Sequence, residues 1–211
     1  MSTTKKNATP KLFKPVFTAL LSALIVLLTF TVGTLRVGPL VFTLNCLPVA
    51  VGAVFLGPLY GAILGLVFGL TSFFASYTSG SLTTVLVGIN PFLTFVMCVV
   101  PRVICGWVPG LLYKVLPKGN EPKRLGSSAL CCGLTAVLNT IGFLGLMWVF
   151  LKDAFVSNPD VIDKVGNKPT GNVFLFIFAI ATINAVTEII VNLVLGTGIC
   201  RALFAVTKNR I

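Results

Sequence analysis

Residues 47–70 read LPVAVGAVFLGPLYGAILGLVFGL and contain no charged side chain. They lie within a longer uncharged run, residues 37–101, that is bounded by Arg36 and Arg102. A membrane-spanning helix needs only about 20 consecutive apolar residues. This run can therefore cross a bilayer more than once, and two further uncharged runs, 125–151 and 169–187, can each supply another crossing.

The composition supports the same interpretation. The chain of 211 residues is 56% hydrophobic and 10% charged, whereas a soluble domain is about 25% charged. We therefore expect an all-α integral membrane protein folded as a single domain over residues 1–211. Its expected parts are a cytoplasmic tail over 1–15 and six transmembrane helices over about 16–33, 46–56, 59–75, 91–113, 128–151 and 173–204. The segment 76–89 is polar but uncharged, and we expect a loop there. The first apolar run is too long for a signal-peptide core, so we expect a retained helix.

The basic residues predict the topology. The net charge is +11, but Lys and Arg cluster at the ends of apolar segments, which favours membrane orientation over nucleic-acid binding. With six helices, one side holds eleven basic residues: Lys5, Lys6, Lys11, Lys14, Lys114, Lys118, Lys123, Arg124, Arg201, Lys208 and Arg210. The other side holds four, namely Arg36, Lys152, Lys164 and Lys168. Both termini are therefore expected in the cytoplasm.

The sequence lacks the residue patterns of common catalytic and metal-binding sites. Histidine is absent, and the six cysteines lie in or beside apolar segments without metal-type spacing. There is no nucleophile with a matching base, no carboxylate ladder for an ion pathway and no Walker A loop. We expect no catalytic residue, metal or cofactor, and no autonomous use of a nucleotide.

Small and polar residues supply the candidate functional positions. Gly61, Gly65 and Gly69 form a stripe expected to pack inside the monomer, whereas Ala19 and Ala23 could pack internally or dock another membrane subunit. Arg102 and Glu188 should lie halfway across the bilayer, either as a mutual ion pair or with Arg102 at a binding cavity. The polar residues that could line a pocket open to the outside are Arg36, Thr43, Asn45, Asn90, Asn139 and Asn184.

These features together resemble a known family. The Ala19-x-x-x-Ala23 pair, the segment 47–70 with its Leu-Gly-Pro-x-x-Gly-x-x-x-Gly pattern, Pro101-Arg102 and Leu138-Asn139-Thr140 are similar to the substrate-binding S-components of energy-coupling factor (ECF) vitamin transporters, of the pantothenate type or a close relative. The resemblance covers most of the chain.

The resemblance implies a function and partners. An S-component binds a vitamin outside a prokaryotic plasma membrane, then associates with a transmembrane coupling subunit and two cytoplasmic ATPases and topples to release the vitamin inside. It implies that Ala19 and Ala23 dock the coupling subunit. It also implies a pocket lined by Arg36, Thr43, Asn45, Asn90, Asn139 and Asn184. Arg36, the one basic residue of the first outer loop, is our first candidate for binding a carboxylate, and we add Arg102 as the second. Pantothenate is the first candidate, riboflavin and folate are alternatives, and an autonomous carrier or channel is the alternative class.

Overall fold

The computed structural model describes residues 10–31, 36–37, 40–41, 44–78, 82–117, 120–156 and 185–207. The helices are α1 Pro10–Thr31, α2 Cys46–Leu56, α3 Pro58–Thr78, α4 Leu82–Ile89, α5 Pro91–Val115, α6 Glu121–Val156 and α7 Ala185–Thr207. A π-helical turn, Asn192–Gly196, interrupts α7. Two-residue strands, β1 Arg36–Val37 and β2 Leu40–Val41, pair antiparallel between α1 and α2.

Five of the described helices are long and apolar enough to cross a membrane: α1, α3, α5, α6 and α7. The protein is therefore a multi-pass membrane protein. The remaining predicted span is α2, whose 11 residues reach about 16 Å at 1.5 Å per residue, roughly half of a hydrocarbon core about 30 Å thick. Six full spans and the cytoplasmic placement of both termini stay predictions.

The half-length helix α2 lies at the centre of the bundle. Nearly all its residues are buried, and it packs against α1, α3, α5, α6 and α7. Gly57 links α2 to α3 with a φ of 104°, a conformation that L side chains rarely adopt. The chain thereby reverses direction within one residue, and α3 returns alongside α2.

The glycine stripe of α3 is confirmed as an internal packing surface. A Cβ built on Gly61 would overlap the Gly106 carbonyl oxygen, and one built on Gly65 would overlap that of Arg102. A Cβ on Gly69 would lie 2.8 Å from the Val99 Cα atom. The backbones of α3 and α5 therefore meet directly, which small residues permit between membrane helices.

The segment expected to be a loop is largely helical, so that prediction was wrong. Helix α3 continues to Thr78, and α4 occupies Leu82–Ile89. The hydroxyl of Ser76 donates to the Ser72 carbonyl oxygen at 2.8 Å, and that of Thr78 donates to Ala75 at 3.3 Å. Hydroxyl side chains that bond to the preceding turn do not have to interrupt a helix.

Helix α6 is longer than expected, running from Glu121 to Val156 instead of 128–151. Its early start is explained by Glu121, which favours the positive end of the helix dipole, and by Pro122, which is tolerated in the first turn. For α7, residues 173–184 of the expected span lie outside the described residues.

Candidate functional site

Four buried polar residues come from the N-cap of α2 and from helices α5, α6 and α7. They are Asn45, Arg102, Asn139 and Glu188, exposed by 5, 9, 7 and 8%, and we call them the polar layer. Cys46 follows Asn45, and its thiol interacts with the Cys105 thiol and the Glu188 carboxylate. Arg102 precedes Cys105 by three residues.

Helix α6 contributes to the same interior. Leu138, the neighbour of Asn139, packs against the hydrophobic cluster that contains Cys46 and Cys105. Arg102 is residue 12 of the 25 in α5, so it lies near the middle of a helix long enough to span the membrane.

Arg102 is held by a carbonyl and two aromatic rings. Its Nη1 donates to the Met97 carbonyl oxygen at 2.9 Å, and its guanidinium carbon lies 5.5 Å from the centre of the Phe68 ring and 4.7 Å from that of Phe143. The buried Nε has no hydrogen-bond partner among the described residues. Cation–π contacts reach about 2 kcal/mol when desolvated, so the rings stabilise the charge while leaving donors unused.

Glu188 lies near the start of α2. Its carboxylate interacts with Cys46, the first residue of α2, where negative charge complements the positive end of the helix dipole. Its backbone carbonyl accepts a 2.9 Å hydrogen bond from Asn192 Nδ2. The described contacts of the Arg102 guanidinium do not include Glu188. The structure therefore shows no ion pair between these two described side chains.

Asn45 connects three helices. It occupies the N-cap position of α2 but makes no side-chain capping bond. Its Nδ2 instead donates to Thr29 Oγ1 on α1 at 2.9 Å, and that oxygen lies 3.4 Å from Thr71 Oγ1 on α3. Sequence reasoning missed both threonines, whose one signal was a hydroxyl within an apolar helix. The Asn45 Oδ1 is buried without a partner among the described residues.

Asn139 also keeps unused hydrogen-bonding capacity. Its Oδ1 is buried, and no described group donates to it. Phe143 lies four residues later on the same face of α6, and its ring contacts Arg102. Phe143 thus connects the face of α6 that carries Asn139 to Arg102 on α5.

Of the other predicted pocket residues, the structure describes the side chain of Asn90 alone. Asn90 caps α5, because its Oδ1 accepts from the Leu93 N–H at 3.1 Å. Arg36 belongs to β1, but its side chain is outside the described part of the structure. Thr43 and Asn184 lie outside the described residues.

Ala19 and Ala23 are exposed on the outer face of α1. The inner face of that helix carries Leu21 and Ile25, which are buried in the core. The alanine pair therefore faces away from the described core of the monomer. Large apolar side chains surround it on the exposed face: Leu12, Val16, Leu20, Leu24, Leu27 and Phe30.

The model of a family described as "ECF transporter, substrate-specific component" matches residues 14–199. The chain belongs to this family. The matched range of this substrate-specific component contains every member of the polar layer and both alanines of α1.

Two relatives of this substrate-specific component carry more detailed names. A protein named "Pantothenic acid transporter PanT" from Lactococcus lactis subsp. cremoris (strain MG1363) is 27% identical over 202 residues, covering 90% of this chain and 92% of the relative. A "Pantothenate transporter PanT" from Leuconostoc mesenteroides subsp. mesenteroides is 28% identical over 163 residues, covering 76% and 74%.

Proposed function

We propose that this protein is the membrane-embedded vitamin-binding subunit of an ECF-type importer and that its vitamin is pantothenate. The observation that carries the proposal is the family match over residues 14–199. The names of both relatives favour pantothenate, ahead of riboflavin, folate or another vitamin. The protein would capture the vitamin outside a prokaryotic plasma membrane and release it inside.

The polar layer supports a binding site in the middle of the bundle. Buried polar atoms in folded proteins almost always have hydrogen-bond partners, yet Asn45 Oδ1, Asn139 Oδ1 and Arg102 Nε have none among the described residues. Two acceptors and a charged donor suit a ligand that carries hydroxyls, an amide and a carboxylate. The proposed pocket comprises these three residues together with Arg36, Thr43, Asn90 and Asn184.

The outer face of α1 supports a partner in the membrane. Small residues at a four-residue spacing allow another helix to approach closely, and Ala19 and Ala23 stand exposed among apolar side chains. We propose that this face docks the transmembrane coupling subunit, which joins the protein to two cytoplasmic ATPases. The eleven-to-four distribution of basic residues supports cytoplasmic termini on the side of the ATPases.

Uptake measurements test this assignment. The protein is expressed in cells that cannot import pantothenate, alone or together with a coupling subunit and both ATPases. We expect the purified protein to bind pantothenate by itself and the cells to accumulate it only when all subunits are present. Accumulation by the protein alone would instead show an autonomous carrier, and tight binding of a different vitamin would overturn the pantothenate assignment.

A further inference from the structure

Arg102 presents a buried charge with unused donors. It is 9% exposed, and it lies midway along α5 at a depth where an ionised side chain is costly unless it is paired or functional. A guanidinium carries five N–H donors. In the part of the chain that the structure describes, one of them is used, in the bond to the Met97 carbonyl oxygen. Among the described residues, Arg102 therefore has fewer acceptors than donors and no acidic partner.

The described acidic side chains are engaged elsewhere. Glu121 forms an ion pair with Arg124 at 3.9 Å near the start of α6, and Glu188 interacts with Cys46 at the start of α2. The sequence has five acidic residues in all. The side chains of the other three, Asp153, Asp160 and Asp163, are outside the described part. They are therefore the alternative source of a negative charge for Arg102.

The surroundings of Arg102 suit a carboxylate ligand. Phe68 and Phe143 cover the guanidinium, which leaves the edge that carries its N–H groups for hydrogen bonding. That edge matches the two oxygens of a carboxylate in a bidentate arrangement. Asn139, one turn from Phe143, adds a buried acceptor for a neighbouring hydroxyl or amide N–H.

We propose that Arg102 binds the carboxylate of the substrate and thereby makes this protein selective for an organic acid over its neutral analogue. The inference rests on the proposed function, which supplies pantothenate as the acid. It assigns the charge-recognition role to the mid-membrane Arg102 in place of Arg36, the basic residue of the first outer loop.

Paired ligands test the inference on the full-length protein in detergent. Pantothenol is pantothenate with a hydroxymethyl group in place of the carboxylate, so the ratio of the two dissociation constants reports carboxylate recognition alone. We expect the wild-type protein to prefer pantothenate by roughly ten- to a hundred-fold, the range for a hydrogen-bonded charge. Arg102→Gln should abolish this preference by weakening pantothenate binding, with little change for pantothenol. Arg201→Gln, which removes an exposed arginine, is the matched control and should keep the preference.

A second variant keeps the test decisive if Arg102→Gln fails to fold. Arg36→Gln changes the competing arginine, and any loss it causes should affect both ligands equally. An Arg36→Gln protein without preference would overturn the inference, as would an Arg102→Gln protein that retains it. Equal binding of both ligands by the wild-type protein would also overturn it and would point to an aspartate as counter-charge, while the proposed function would stand. Binding of neither ligand would refute the pantothenate assignment and this inference together.

Discussion

The contact of Gly65 with the backbone of α5 predicts that one added methyl group destabilises the bundle. In Gly65→Ala the new Cβ would overlap the Arg102 carbonyl oxygen and lie 2.8 Å from its carbonyl carbon and 3.0 Å from the Val103 Cα atom. Unstrained carbon atoms approach to about 3.5–4.0 Å. All three clashing atoms belong to the backbone, so a side-chain rotation cannot relieve the overlap and the helices must separate.

Two opposing effects set the size of the change. Overpacking a close-packed interior costs about 1–3 kcal/mol, whereas replacing glycine by alanine within a helix returns up to about 1 kcal/mol. We expect a net loss of about 1–2 kcal/mol, which corresponds to a fall in melting temperature of about 2–8 °C for a chain of this size. Pantothenate affinity should fall as well, because the displaced backbone carries Arg102.

The matched control is Gly145→Ala in α6. No atom lies within 4 Å of a Cβ at Gly145, so this variant gains helix propensity without a clash and should be unchanged or slightly more stable. Thermal unfolding in detergent, followed by size-exclusion chromatography of the heated samples, measures both variants. Equal melting temperatures for Gly65→Ala and Gly145→Ala would refute the close contact between α3 and α5.

Four further predictions follow from the same structure. Replacing Ala23 by Trp should abolish uptake while leaving vitamin binding intact, because the residue faces outward; loss of binding together with folding would favour internal packing. Asn139→Ala should weaken pantothenate binding by roughly ten- to a hundred-fold in a normally folded protein, and an unchanged dissociation constant in isothermal titration would remove Asn139 from the site. The effects of Arg102→Ala and Glu188→Gln on unfolding free energy should add within about 0.5 kcal/mol, as for residues without shared contacts; a double variant clearly more stable than the sum would restore the ion-pair hypothesis. Green fluorescent protein fused after Ile211 should fluoresce, since it matures in the cytoplasm, and a dark, exported fusion would invert the topology.

The sequence predicted the fold class and much of the packing because these depend on local patterns. Long uncharged runs predict helices in a bilayer. The stripe Gly61, Gly65 and Gly69 predicts close contact with another helix. The partner of that stripe was not predictable, since a small-residue pattern does not name the helix it faces. Helix α4 was missed because its flanking serines also occur in loops.

The candidate site was predictable in residue type but not in arrangement. Depth along a helix suggested that Arg102 and Glu188 meet, but depth does not specify which side chains face each other. The described contacts of the Arg102 guanidinium are with Met97, Phe68 and Phe143. Asn45 occupies the N-cap position of α2, yet its amide donates to Thr29 because that hydroxyl is a buried acceptor. Asn90 was expected in the pocket, and its side chain caps α5.

Mass spectrometry of the ligand that co-purifies with the protein tests the central proposal most directly. The protein is purified from cells grown with pantothenate, riboflavin and folate all present, without any coupling subunit or ATPase, and is then denatured to release bound small molecules. The proposed function predicts pantothenate in an amount approaching one molecule per chain. Recovery of a different vitamin at that stoichiometry, or failure of added pantothenate to bind the intact protein, would contradict it.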